Sequence, residues 1–202
     1  LYRGYPSGAI LLWETDEDVP LQDMAVAQQH NPYQSTRLLL DGQQRLTSLS
    51  QVLMLDKPVQ TRDSKKREMD RYYYIDIAKA LEGPEHYQDA FFGVEKDRTV
   101  RENFGRDIKL DLRTPELEYT NFCFPCNKIL NWSDWLDGLN QHDSSRLSEF
   151  LAFRKQVISA FENYQIPIIS LAKETSKEAV CLVFEKVNTG GVPLSVFELI
   201  TA

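Results

Sequence analysis

Short apolar segments that alternate with capped amphipathic segments predict a mixed α/β fold, in which helices pack on a small mixed sheet. The strand-like segments lie at residues 10–13, 37–40, 72–77 and 165–171. Apolar residues recur at helical spacing in the segments after Gly42 and after Thr175. A hydrophobic content of 42% in 202 residues is ordinary for a globular protein with a substantial core.

The first part of the chain predicts a strand, a long polar connection and a strand–turn–helix unit. Residues 10–13 form the first strand, residues 14–36 the connection and residues 37–40 the second strand. Leucine and valine side chains between residues 46 and 53 share one face of a helix. The sequence Asp-Lys-Pro at residues 56–58 is expected to end this helix near residue 55.

The middle of the chain predicts further strands and then helices. Residues 72–77 are rich in aromatic and β-branched side chains, and residues 122–124 resemble a further short strand. A helical pattern with half-buried tryptophans begins near Ser133, and a longer helix is expected between residues 144 and 164. Pro167 places the following strand at a sheet edge because proline cannot donate a hydrogen bond to a neighbouring strand.

Two capping boxes organise the last part of the chain. Thr175 and Glu178 have the spacing of a capping box at the start of a helix, which Gly190 and Gly191 are expected to end. Ser195 and Glu198 repeat this spacing, so that a final helix is expected there.

The turn between residue 40 and the first helix carries the most informative chemistry. Asp41 is the expected N-cap, which places Arg45 in the first turn of the helix. A cation there opposes the helix macrodipole at a cost of roughly 0.3–1 kcal/mol unless a negative group lies beside it. That group is either a phosphate bound by the backbone amides and the guanidinium, or a carboxylate of the chain such as Asp41 or Glu198.

Two sequence blocks resemble a known family. Residues 41–47 read DGQQRLT and resemble the DGQQR signature of the DUF262 family, the N-terminal domain of GmrSD-type modification-dependent restriction enzymes and related phage-defence proteins. Residues 184–200 are similar to its closing F-x-x-x-N-x-G-x-x-L-S-x-x-E-L block, and residues 4–13 and 164–168 to its strand segments. The resemblance implies a single domain over residues 1–202, truncated at both ends, with a variable insertion at about 57–163.

The resemblance implies a ParB/sulfiredoxin-like fold, in which an arginine-bearing motif at a helix start holds nucleotide phosphates. The catalytic residues expected from it are Asp41, Gln43, Gln44 and Arg45. The further nucleotide-binding residues expected from it are Gly42, Thr47, Lys186, Asn188, Thr189 and Gly190. Asp41 either caps the helix or binds a Mg²⁺ ion that accompanies a nucleoside triphosphate, and Asn188 either contacts the ligand or ends its helix as a C-cap.

Three functions follow, in descending order of preference. The first is a regulatory domain that binds and hydrolyses a nucleoside triphosphate and licenses a DNA nuclease in restriction or phage defence. The second is a DNA-binding module that senses modified bases without turnover. The third is a nuclease, which ranks last because the sequence offers neither a His-Asn-His cluster nor a constellation of carboxylates and lysine. The expected partners are DNA, modified or unmodified, and a nuclease domain or subunit.

Composition and motif spacing exclude several other classes. A net charge of -7 argues against a uniformly basic nucleic-acid surface. No apolar run approaches the roughly 20 residues that a membrane span needs, and no secretory signal is present, so a cytoplasmic protein is expected. Cys123 and Cys126 form one C-x-x-C pair without a second pair, which predicts no zinc site.

Overall fold

The computed structural model describes residues 8–15, 36–62 and 65–187. Its strands are β1 (Ile10–Glu14), β2 (Arg37–Asp41), β3 (Val59–Arg62), β4 (Glu68–Asp76), β5 (Phe91–Glu95), β6 (Thr99–Glu102), β7 (Asp107–Asp111), β8 (Cys123–Pro125) and β9 (Ile168–Leu171). Its helices are α1 (Gln43–Leu53), α2 (Ile77–Glu82), α3 (Tyr87–Ala90), α4 (Pro115–Asn121), α5 (Trp132–His142), α6 (Leu147–Phe153), α7 (Ser159–Glu162) and α8 (Lys177–Val187). The predicted mixed α/β fold is confirmed.

The described residues divide into two compact units. The larger unit comprises the described residues from 49 to 164, and the predicted insertion at 57–163 falls inside it. The smaller unit comprises residues 8–15, 36–48 and 165–187. Across the described part of the chain, every helix is too short or too polar to cross a membrane.

The smaller unit contains a sheet with strand order β2-β1-β9. β1 pairs antiparallel with β2 and parallel with β9, so that Leu11 lies opposite Asp41 on one side and Ile169 on the other. Among the described strands β9 lies at the edge, as Pro167 predicts, and the Ile10 N–H donates to the Pro167 carbonyl at 2.9 Å. The start of β1 therefore lies between the end of β2 and the start of β9.

The larger unit is built on an aromatic core. Its central strand β4 pairs with β3, β5 and β8, and buried side chains of α5 and α6 pack with the β8 residue Phe124. Ring centroids of Trp135 and Phe124 lie 5.2 and 5.9 Å from that of Phe150. Trp135 is buried rather than half-buried as predicted, because Glu118 accepts its indole N–H inside the core.

The structure confirms one predicted helix and corrects the start of another. The helix expected between residues 144 and 164 is a continuous helical run from Ser144 to Glu162, in which a π-helical turn at Arg154–Ile158 joins α6 to α7. Val157 and Ile158 within this turn are both fully buried. The cap of α8 is Ser176 rather than Thr175, because the Ser176 hydroxyl accepts the Ala179 N–H at 3.3 Å.

Candidate functional site

The Asp41 turn joins β2 to α1 through a glycine that no other residue type replaces easily. Gly42 has a φ of +101°, and a Cβ built there would lie 3.2 Å from Ile10 Cγ1. The first backbone bond of α1 runs from the Leu46 N–H to the Gly42 carbonyl at 3.0 Å. Gly42 is therefore the N-cap, and the prediction that Asp41 caps the helix is wrong by one residue: Asp41 is the last residue of β2.

Arg45 is fixed at the start of α1 by two acceptors. Its Nη2 donates to Asp41 Oδ2 at 2.7 Å and to the Ala9 carbonyl at 2.9 Å. The side chains of Arg45 and Asp41 remain 35% and 31% exposed. Of the two negative groups that the sequence left open, the local carboxylate of Asp41 is present, and it offsets the macrodipole without a bound ligand.

Gly8 is a residue of this site that sequence reasoning missed. Its φ is +90°, and a Cβ on it would overlap Arg45 Nη1, so the guanidinium lies directly against the Gly8 backbone. The sequence gives one signal for this residue, which is a glycine two positions before the first strand. Nothing in a local pattern connects that glycine to an arginine 37 positions later, because the pairing of β1 with β2 brings them together.

The structure describes some of the other expected site residues but not all of them. Gln43 and Gln44 form the first turn of α1, and Thr47 lies half-buried one turn further on. Lys186 is exposed in the last turn of α8. Among the described residues, Lys186 forms no ion pair with Asp41. Asn188, Thr189 and Gly190 lie outside the described residues, as does Glu198.

Comparison with known proteins identifies the family. The model of the GmrSD restriction endonuclease, N-terminal domain, matches residues 1–202. The chain belongs to this family. The resemblance stated from the two sequence blocks is thereby confirmed, and the GmrSD N-terminal domain is a module related to restriction endonucleases.

One curated protein is similar to most of this chain. The uncharacterized protein MJ0686 of Methanocaldococcus jannaschii is 27% identical over 172 residues. The match covers 82% of this chain and 27% of that protein. The chain therefore corresponds to about a quarter of the length of the relative it matches.

The cysteines of this GmrSD N-terminal domain lie in its interior. Cys123, Cys126 and Cys181 are free and buried. Burial raises the pKa of Cys126 to about 12, so its thiol stays protonated at neutral pH. Over residues 8–15, 36–62 and 65–187, no group of three or more His, Cys, Asp or Glu side chains is arranged to hold a metal ion.

Replacing Gly42 by alanine is expected to lower the free energy of unfolding by about 1–3 kcal/mol, because the backbone conformation is unfavourable for an L-residue. The contact of the new Cβ with Ile10 adds to this cost. Urea unfolding measures the effect. Gly105→Ala is the matched control, since Gly105 has a φ of +83° but a Cβ added to it would have no atom within 4 Å. A Gly42→Ala variant no less stable than Gly105→Ala would contradict the role of the Ile10 contact.

Proposed function

We propose that this GmrSD N-terminal domain binds a nucleoside triphosphate at the Asp41 turn and hydrolyses it. The turnover would regulate the cutting of DNA by a nuclease domain or subunit of the whole protein. One observation carries the proposal: Asp41 and the Ala9 carbonyl hold the Arg45 guanidinium in a fixed position beside a glycine turn at a helix start.

The turn combines three features that suit a phosphate group. The backbone N–H groups of Gln43 and Gln44 occupy the first positions of α1, where a helix has no carbonyl of its own to accept them. Gly42 has no side chain, so the backbone can approach a phosphate closely. Arg45 supplies positive charge and a planar set of N–H donors. About a third of the Arg45 side chain is exposed, so a phosphate can reach it.

The Asp41–Arg45 ion pair orients the guanidinium in this proposal. An arginine side chain loses rotamer freedom when it binds, and a partner that already fixes it reduces that loss. The Arg45 guanidinium would contact the phosphates while Asp41 and Ala9 hold it from behind. The pair observed here therefore belongs to the site as its positioning element.

The chain would supply few ligands to a magnesium ion at this turn. When bound, Mg²⁺ would neutralise phosphate charge during hydrolysis. Asp41 is one carboxylate, and its Oδ2 already accepts from Arg45. It would supply at most one ligand, and phosphate oxygens and water would complete the shell, which is the usual way in which Mg²⁺ binds with a nucleotide.

The residues present favour hydrolysis through positioning and charge. A glutamine amide beside a terminal phosphate can orient the attacking water, and Gln43 and Gln44 are the two candidates at this turn. Arg45 would stabilise the charge that develops on the transferred phosphoryl group. This chemistry needs no covalent nucleophile.

The decisive test is phosphate release from ATP, GTP, CTP and UTP with Mg²⁺, compared between the wild-type chain and Arg45→Ala. We expect the variant to lose about 100-fold or more in rate, which is the effect of removing one group that stabilises transition-state charge. Asp41→Asn should lose less, because an amide oxygen can still accept from Arg45.

Arg37→Ala is the matched control for this test. Arg37 is 62% exposed on β2 and pairs with Glu14 at 3.3 Å, so its loss should leave the rate unchanged. Equal rates in the wild type, Arg45→Ala and Asp41→Asn would refute the assignment of the turn. Binding of DNA that weakens steeply with salt, without affinity for any triphosphate, would favour the DNA-binding module instead.

A further inference from the structure

The larger unit contains a cavity whose chemistry the proposed function does not use. Its volume is about 190 Å³, and the side chains that matter are Asp56, Tyr72, Arg98, Glu118, Asn127 and Lys128. All of these residues belong to the larger unit, whereas the Asp41 turn belongs to the smaller one.

Glu118 provides a buried acceptor in the wall of this cavity. The residue is 5% exposed, its Oε1 accepts from the Tyr74 hydroxyl at 3.0 Å, and its Oε2 accepts from Trp135 Nε1 at 3.2 Å. A carboxylate has about four acceptor positions. Two neutral donors therefore leave part of its capacity for a ligand, since Arg98 Nη1 is 3.9 Å away, beyond hydrogen-bond distance.

The cations of the cavity are held in a fixed arrangement. Arg98 lies over the Tyr72 ring at 4.3 Å and donates to Asp56 Oδ1 at 3.0 Å. Asn127 Nδ2 donates to the same oxygen at 3.2 Å. Asp56 is thus engaged with the wall itself. Arg98 Nη1 also forms an ion pair with Glu118 Oε1 at 3.9 Å, and Lys57 and Lys128 are the further cations of the lining.

Opposite charges in the wall favour a neutral ligand. A cationic ligand would meet Lys57, Arg98 and Lys128, and an anionic ligand would meet the buried Glu118, at a high electrostatic cost in either case. A neutral molecule with N–H donors on one edge and carbonyl acceptors on another would satisfy both signs. A guanidinium plane such as that of Arg98, which itself lies over the Tyr72 ring, is suited to stacking on a planar heterocycle.

The volume limits such a ligand to one ring. An engineered cavity of about 150 Å³ holds one benzene molecule, so 190 Å³ holds a substituted six-membered ring. Among nucleobases, pyrimidines are the single-ring class, and carboxylates accept from the exocyclic amine of cytosine. We propose that this cavity binds a pyrimidine base, with Glu118 accepting its N–H groups and Arg98 facing its carbonyl oxygens.

This inference does not depend on nucleotide hydrolysis at the Asp41 turn. The base could belong to a free nucleoside or to an unpaired nucleotide of a nucleic acid, which proteins bind by extruding the base into a pocket. Calorimetry of the full chain would use cytidine, uridine and adenosine as free ligands, and single-stranded oligonucleotides of deoxycytidine and deoxyadenosine for the second source.

We expect saturable binding of cytidine and uridine or of the deoxycytidine oligonucleotide, and weaker binding of the adenine counterparts. Glu118→Gln should weaken pyrimidine binding about tenfold or more, the effect of losing one good base contact. Glu116→Gln on the same helix is the control, because Glu116 is exposed and should not matter. Arg45→Ala should also leave this binding unchanged, which separates the inference from the proposed function.

A second variant keeps the test valid if Glu118→Gln does not fold. Val59 also lines the cavity, and Val59→Phe should fill it and abolish binding. If the free nucleosides bind, the ligand is a nucleoside. If only the oligonucleotide binds, the ligand is an unpaired base of a nucleic acid. Absence of binding by every pyrimidine probe, equal affinity for adenine probes, or binding that survives Val59→Phe would each overturn the proposal.

Discussion

Replacing Phe150 by alanine is expected to lower the free energy of unfolding of the larger unit by about 3–5 kcal/mol. Phe150 is fully buried, and its ring stacks on Trp135 with centroids 5.2 Å apart and planes 28° apart. Phe124 and Phe153 approach the same ring at 5.9 and 5.8 Å. The variant would lose transfer free energy and leave a cavity that three other large rings cannot close by small movements.

Urea unfolding followed by tryptophan fluorescence measures this effect, because Trp135 lies against the ring that is removed. Leu151→Ala is the matched control. Leu151 is the next residue of the same helix and is 52% exposed, so its truncation should change stability by less than about 0.5 kcal/mol. A Phe150→Ala variant within about 1 kcal/mol of the wild type would show that the aromatic cluster does not carry the stability of this unit.

The elements that the sequence predicted correctly are those with a strong local signal. β1, β2 and β9 are rich in apolar residues, and β1 pairs with both of the others. α1 follows a glycine turn and has an apolar face. The hairpin of β6 and β7 was not predicted, although Asp107–Asp111 alternates charged and apolar side chains. The two strands have only four and five residues, and Val100 is the single aliphatic residue of β6, so the pattern is short. α4 is only seven residues long, although Thr114 and Pro115 give it a recognisable start.

The candidate site was predictable where it is local in sequence. Residues 41–45 and the ion-pair alternative for Arg45 follow from spacing within one turn of a helix. The contributions of Gly8 and Ala9 depend on strand pairing, which joins residues 36 or more positions apart. The role of Glu118 was likewise hidden, because its partners Tyr74 and Trp135 lie 44 and 17 positions away.

Replacing Glu118 by alanine is expected to lower the free energy of unfolding by about 2–4 kcal/mol, because two buried donors lose their acceptor. The donors are the Tyr74 hydroxyl and Trp135 Nε1, on residues that are 1% and 3% exposed. Glu118→Gln should cost less, since the amide can accept from Trp135 and donate to the Tyr74 hydroxyl oxygen. Urea unfolding at pH 7 compares the two variants, and equal losses would contradict this account.

The same carboxylate predicts a pH dependence that Glu118→Gln removes. Burial raises the pKa of Glu118 above its ordinary value of 4.5, against the opposing effects of the two hydrogen bonds and Arg98. Between pH 4.5 and the raised pKa, the folded state binds more protons at this site than the unfolded state, so stability falls as pH rises through that window. The other carboxylates are common to both proteins and cancel in the difference between their unfolding free energies. That difference should therefore change steadily from pH 4.5 upwards and then level off, whereas a constant difference would mean that the folded chain holds Glu118 with an ordinary proton affinity.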